Sequence, residues 1–313
     1  MAREIDGTYL IIGGTTKAAT TSVYFYLAEH PEICASSMKE PRFFLDDDYP
    51  VKSTHRLERD GPERYLDYYR HCTSEPVRME ATPDYLHSPG SADRIRRHLP
   101  GAEVVFLLRE PIARMESWFR FARQDGMISR DMDFQEFVEG QVEEAPNAST
   151  PQHLRVLAQG RYAPALERWR TSLGPERVHV MFFEDLVEDA ASVVADICDC
   201  MGLDPGPLSD LDYAVHNPTR PTRFPRLHAA YKRLRYAVRQ FTHDKPHVHA
   251  LMRALRKGFE RIYWRVNRGR SVRVEASLRV RSELMEYYSE SVAALAELSG
   301  RPLPKAWRRV YDG

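Results

Sequence analysis

Residues 9–21, YLIIGGTTKAATT, constrain the fold more than any other stretch of this chain. Tyr9-Leu10-Ile11-Ile12 is a short apolar run with the composition of a buried parallel strand. Gly13 and Gly14 follow at once and permit the tight backbone path of a phosphate loop. Lys17, Thr20, Thr21 and Ser22 come next, ahead of helical spacing at Val23, Tyr26 and Leu27. This order suits an anion. First-turn N–H groups and the positive end of a helix dipole face the loop, and the lysine adds a full charge. The same residues also fit an ordinary strand-to-helix turn with a solvated lysine.

The loop is not a Walker A motif, which places Lys-Ser or Lys-Thr after a second glycine with the hydroxyl on magnesium. Here Ala18 and Ala19 separate Lys17 from the threonines. Further along, Val77–Thr82, Val104–Leu108 and Val178–Phe183 read as strands. Helical patterns fill 20–30, 62–72, 91–99, from Pro111 through Phe121, 133–144, 163–173, 185–201 and 275–299. Residues 33–61 and 145–151 read as irregular. The alternation predicts an α/β fold, a P-loop-like, mostly parallel sheet flanked by helices, with a helical C-terminal part and one domain over 1–313. In such sheets ligands bind beyond the carboxyl ends of the strands, where the glycine loop and Arg109 both fall.

Four stretches stand in a telling order: the loop, KEPRFF at 39–44, EATPDYL at 80–86 and FLLREPIARMESWF at 106–119. Weaker matches follow in GRYAPALERW at 160–169, VMFFEDL at 180–186 and a closing Leu303-Pro304-Lys305-Ala306-Trp307. Together they resemble the sulfotransferases that use 3′-phosphoadenosine 5′-phosphosulfate, in the bacterial branch related to the heparan sulfate N- and O-sulfotransferases. The resemblance covers nearly the whole chain.

It implies a division of labour. Sulfuryl transfer is a loose in-line displacement in which positioning and charge stabilisation supply most of the catalysis. Lys17 would offset charge on the leaving phosphate, and Thr15, Thr16, Lys17, Ala18, Ala19, Thr20, Thr21 and Ser22 would hold the donor's 5′ end. Alanine at 19, where the resemblance expects glycine, predicts an ordinary φ there. Arg109 and Ser117 would take the 3′-phosphate. Glu40 is the candidate base, on condition that burial raises its pKa toward neutrality, with His55 and His87 as rivals. Ala81 stands where the heparan sulfate relatives often carry lysine; Lys39 or Arg42 could compensate. No metal is implied, and His243, His247 and His249 lack the acidic neighbours of a metal site.

Composition excludes several classes. Hydrophobic content of 42% with 16 glycines in 313 residues excludes a disordered or fibrous chain. No apolar run is long enough to span a bilayer, and the N-terminus has no secretory h-region. Cys34, Cys72, Cys198 and Cys200 lack disulfide or zinc spacing and read as reduced thiols of a cytoplasmic protein. Net charge is zero, yet residues 219–281 hold 18 Lys and Arg against 3 Asp and Glu. Two basic helices there could meet an anionic acceptor or a membrane surface. The expected partner is a small-molecule, glycan or lipid acceptor, not nucleic acid. Two other readings remain open: a P-loop kinase, marked by magnesium dependence, and a non-catalytic polyanion- or membrane-binding protein.

Overall fold

The computed structural model describes residues 4–129, 131–141, 150–214 and 276–311, with scattered positions between 224 and 274. Five strands form one parallel sheet: β1 (Thr8–Gly14), β2 (Ile33–Ala35), β3 (Val77–Ala81), β4 (Ala102–Leu108) and β5 (Val178–Phe182). Their order is β2-β3-β1-β4-β5, so β1 is central. It pairs with β3 from Thr8↔Val77 to Ile12↔Ala81, and with β4 through Ile12↔Val105 and Gly14↔Phe106. Tyr9, Leu10, Ile11 and Ile12 are fully buried, as a central strand covered on both faces requires.

Helices α1 (Thr20–Leu27), α2 (Leu57–Asp60), α3 (Ser91–His98), α4 (Pro111–Asp125), α5 (Phe134–Glu139), α6 (Tyr162–Leu173), α7 (Phe183–Glu188), α8 (Ala190–Cys200), α9 (Leu278–Leu298) and α10 (Lys305–Tyr311) follow the chain. One core face joins Leu10, Ile12, Met79 and Ala81 of the sheet to Val23 and Leu27 of α1 and Val194 and Ile197 of α8. The expected helix at 185–201 is broken at Asp189, whose carboxylate accepts from the Ser192 N–H and starts α8 afresh. The Ser91 hydroxyl donates to the Phe44 carbonyl, and Gly90 takes the cap position. Strand β2 falls in the stretch expected to be irregular, because three residues are too few to show a period.

The chain divides into two compact units: residues 1–115, 141–217 and 278–313, and residues 116–140 with 218–277. The first contains the whole sheet. In the second, Phe119, Phe134 and Phe137 pack together, and Tyr231 stacks on Tyr263 at 4.6 Å between ring centroids. Asp133 and Glu136 form a reciprocal capping box at the start of α5. Most of the basic segment 219–281 and the histidine connector lie outside the described residues. Among the described residues no helix is long and apolar enough to cross a membrane.

The cysteine expectation is corrected. Cys34 of β2 and Cys72, just past a 3-10 helix at Pro62–Tyr69, form a disulfide with Cα atoms 5.8 Å apart. A separation of 38 residues carries no spacing signature; the fold alone brings the pair together. Cys198 and Cys200 are free thiols, their pKa values pushed up to about 11 by burial. Closing a loop of this length restricts the unfolded chain by about 3–4 kcal/mol on the chain-entropy account. Cys72→Ser is therefore expected to lower unfolding free energy by about 2–4 kcal/mol in urea melts without reductant. No loss would show that the bond is not formed in the folded protein.

Candidate active site

The glycine loop owes its shape to close packing. A Cβ at Gly13 would lie 2.6 Å from the Phe106 ring, and one at Gly14 would lie 2.8 Å from Leu86 Cβ. Neither glycine has a positive φ; it is Lys17 and Ala19 that do, at 72° and 63°. The expectation of an ordinary φ at Ala19 is thus wrong. Ala19 occupies the position before the first turn of α1 in the left-handed region, where glycine fits without penalty. No side chain caps α1, so Thr20 and Thr21 open the helix with N–H groups that have no intrahelical acceptor. The Ser22 backbone N–H donates to the Ala19 carbonyl.

Three further groups converge on the loop. Arg109, just past β4, stacks over the Phe183 ring at 4.3 Å and donates to the Lys17 carbonyl at 3.1 Å. The Tyr162 hydroxyl braces it by donating to the Arg109 carbonyl at 2.7 Å. Arg114, in the first turn of α4, is fully buried. It donates to the Thr16 hydroxyl at 3.4 Å and the Val156 carbonyl at 2.6 Å, and it lies over the Tyr162 ring. Its Nε has no hydrogen-bond partner and no carboxylate pairs with it among the described residues. His87 Nε2 sits 3.3 Å from the Thr15 hydroxyl. Burial, then the Arg114 and Arg168 charges, hold its pKa well below the usual histidine range. His87 is therefore a neutral group on the phosphate loop.

Sequence reasoning missed Arg114. It stands five residues after Arg109, but spacing does not separate a buried arginine from one that snorkels to water.

The loop carrying the candidate base Glu40 leaves β2 and crosses the carboxyl end of β3. Ser36 N donates to the Met79 carbonyl and Ser37 N to the Tyr68 carbonyl. Glu40 and Arg42 both have positive φ, at 62° and 59°. Lys39 Nζ reaches one Glu40 oxygen at 2.7 Å and Arg42 Nη2 the other at 2.9 Å. Burial pushes Glu40 up, but Lys39 and Arg42 outweigh it and hold the carboxyl below the usual range. The expectation that burial raises it toward neutrality is corrected: two cations face it, and its side chain is 30% exposed. Glu40 is ionised at neutral pH. With its pKa depressed, its ion pairs stabilise the fold above the ordinary carboxylate pKa and are lost as pH falls through the folded value. His55 sits 3.6 Å from Asp60, away from these contacts.

The two loops share one sheet end. Thr82 N donates to the Ile12 carbonyl, directly before Gly13, and the Thr82 hydroxyl accepts from Arg42 N at 3.2 Å. Arg42 Nη1 also donates to the Lys52 carbonyl. Ser117 is buried in α4, within the second unit.

An α/β sheet with a cationic loop between the carboxyl end of its central strand and a helix N-terminus belongs to the class of open parallel-sheet proteins whose strand ends suit an anionic ligand. The sulfotransferase family model matches residues 10–207, and the chain belongs to that family. Mouse bifunctional heparan sulfate N-deacetylase/N-sulfotransferase 4 is 26% identical over 206 residues, covering 63% of this chain and 22% of that protein. The membrane-associated sulfotransferase kil1 of Dictyostelium discoideum is 32% identical over 117 residues, covering 36% of this chain and 23% of that protein. The chain thus spans under a quarter of the length of these relatives. A crystal structure of a sulfotransferase from Alicyclobacillus acidocaldarius superposes with a TM-score of 0.67 at 23% identity, covering 97% of this chain and 100% of that one. It shares the fold.

Ala19→Gly tests the loop conformation. Relieving a left-handed alanine should raise unfolding free energy by about 1 kcal/mol, read from urea midpoints. A destabilised variant would mean that Ala19 does not hold the left-handed conformation.

Proposed function

We propose that the protein moves a sulfuryl group from 3′-phosphoadenosine 5′-phosphosulfate, as co-substrate, to a hydroxyl or amine of a carbohydrate, glycolipid or other small acceptor. The observation that carries this reading is Arg114, a fully buried guanidinium on the phosphate loop with no carboxylate partner among the described residues. A buried charge left unpaired costs several kcal/mol, and an anionic ligand on the Thr16 side would offset that cost.

The residues divide the work. Thr15, Thr16, Ala18, Ala19, Thr20 and Thr21 offer backbone N–H groups and hydroxyls to the donor's 5′ end, beside the cations Lys17 and Arg114. Lys17 offsets charge on the bridging oxygen as the S–O bond to phosphate breaks. Arg109 takes the 3′-phosphate with a planar fork, and Ser117 joins the proposal on its sequence position alone. Glu40 accepts the acceptor's proton as the new bond to sulfur forms. With a depressed pKa it is a weak base but already deprotonated, which suits a transition state that needs little help from a strong nucleophile.

No step calls for a metal ion. Calorimetry with 3′-phosphoadenosine 5′-phosphate in EDTA should give micromolar affinity, about −8 kcal/mol. Arg114→Met should leave the unliganded protein as stable or more stable while losing most of that affinity, because it deletes an uncompensated charge. A strict magnesium requirement, or full affinity in Arg114→Met, would overturn the assignment. Labelled donor incubated with a panel of cell extracts would identify the acceptor.

The cytoplasmic location expected from the sequence belongs to this proposal. The Cys34–Cys72 bond weighs against it, since such bonds persist in oxidising compartments. Thiol titration of protein taken directly from cells discriminates, because cytoplasmic protein would show all four thiols free. The basic segment 219–281 is proposed to draw an anionic acceptor or membrane surface toward the protein. Reversing Lys232, Arg233, Arg235 and Arg239 to glutamate should then weaken anionic-vesicle binding or raise acceptor KM, most at low salt. Unchanged values across salt would leave the segment structural.

A further inference from the structure

Glu80 is a fully buried carboxylate at the carboxyl end of β3 that none of the steps above uses. The pleat turns it away from Met79 and Ala81, whose side chains join the α1 core face. Three hydroxyls donate to it: Thr82 to Oε2 at 2.6 Å, Tyr85 to Oε1 at 2.9 Å and Tyr65 to Oε1 at 3.1 Å. Two of these hydroxyls also accept a backbone N–H from the base-bearing loop. Thr82 accepts from Arg42 N at 3.2 Å and Tyr85 from Phe44 N at 3.2 Å.

A hydroxyl has one proton and two lone pairs. Whatever fixes where the proton points decides whether a lone pair is left for the loop. An ionised carboxylate is an acceptor only, so it draws the Thr82 and Tyr85 protons inward and leaves their oxygens as acceptors for Arg42 and Phe44. These two residues flank Phe43 and lie two and four positions after Glu40. Arg42 in turn holds one Glu40 oxygen.

We infer that Glu80 is a positioning residue for the transfer reaction: by orienting the Thr82 and Tyr85 hydroxyls it pins residues 40–44 and so sets the Glu40 carboxylate. This rests on Glu40 being the base. Placing a proton on Oε2 reverses the arrangement. Thr82 then accepts from Glu80, its own proton is no longer drawn inward, and it competes with the Arg42 N–H for the outward positions, so that anchor loosens.

The groups facing Glu80 are Tyr65, Tyr68 and Tyr69 from the 3-10 helix, Thr82 and Tyr85 after β3, and Lys39 from the loop. Burial raises all four tyrosines above their ordinary range, so none titrates near neutrality. Burial also raises Glu80, against its three hydroxyl bonds and Lys39, to about 7.

Two signs follow. A raised carboxyl contributes stability that is present below the ordinary carboxylate pKa and is lost as pH rises through about 7. Turnover, needing the ionised form, should instead rise over the same range. A purely structural role would make activity follow stability.

The experiment compares Glu80→Gln, Glu40→Gln and the double variant in steady-state assays with labelled donor and, as probe acceptor, an N-deacetylated heparan sulfate oligosaccharide, from pH 5.5 to 8.5. Glu80→Gln keeps the volume but places a donor against a hydroxyl. It should lower kcat roughly 5–10-fold at pH 8. It should also spare affinity for 3′-phosphoadenosine 5′-phosphate and abolish the rise in kcat between pH 6 and 8. Because Glu80 acts through Glu40, the double variant should be no slower than Glu40→Gln. Thr82→Val should reproduce the loss and Thr82→Ser restore it, which keeps the test decisive if Glu80→Gln does not fold. Unchanged kcat in Glu80→Gln and Thr82→Val, or a loss that adds fully to that of Glu40→Gln, overturns the inference. Normal turnover in Glu40→Gln alone instead removes Glu40 as the base, so the two failures are distinguishable.

Discussion

Close approach of backbone to side chains at the carboxyl end of β1 is the constraint on which the site depends. Gly13 lies against Phe106 and Gly14 against Leu86, with no room for a methyl group. Phe106 in turn packs edge-on against the fully buried Trp169, so β1, β4 and α6 meet at this point. Because the loop sits flush with the sheet, Thr15 N can reach the Leu107 carbonyl at 2.6 Å and Arg109 can reach the Lys17 carbonyl. A larger residue at either glycine would lift the loop off β4 and separate it from both. Loop geometry here is set by packing before it is set by charge.

Charge is then distributed with a clear asymmetry. On the β4 side of β1, Arg114 is buried with neutral partners only among the described residues, and nearby His87 is held uncharged. On the β3 side, every charge is answered: Glu40 by Lys39 and Arg42, and Glu80 by three hydroxyls. A buried cation with neutral partners is the costlier arrangement of the two, and it is the ground on which an anionic ligand is proposed there. If that proposal holds, ligand binding and folding stability are coupled through Arg114.

Much of this was legible in the sequence. The strands read at 9–12, 77–82, 104–108 and 178–183 match four of the five observed, because strands covered by helices are rich in apolar residues. Lys17 and Arg109 were found from their places at strand ends, and they do meet. Contacts made by the fold were not legible. Cys34 and Cys72 lack a spacing code, and Arg114 looks like any helix-surface arginine. Glu80 stands at the end of a legible strand, but nothing local says that Tyr65 and Tyr85 converge on it. The pKa of Glu40 was misjudged for a related reason. Burial was anticipated, but two flanking cations in one tight loop were not weighed against it.

Backbone strain gives independent grounds for treating the two loops as one device. The non-glycine residues with positive φ among the described positions are Lys17, Ala19, Glu40 and Arg42. Each costs about 1–2 kcal/mol relative to an ordinary conformation. Strain of that kind persists only where surrounding contacts over-determine it. The contacts are visible in both places: Arg109 on the Lys17 carbonyl, and Thr82 and Tyr85 on the backbone of the Glu40 loop. They come from different strands, β4 and β3, and meet across β1. Thr82 itself joins the halves, donating its backbone N–H to Ile12 while its hydroxyl holds Arg42. A shift of β3 against β1 would therefore move Glu40 relative to the glycine loop. The parallel register Ile12↔Ala81 acts as the ruler that sets their separation.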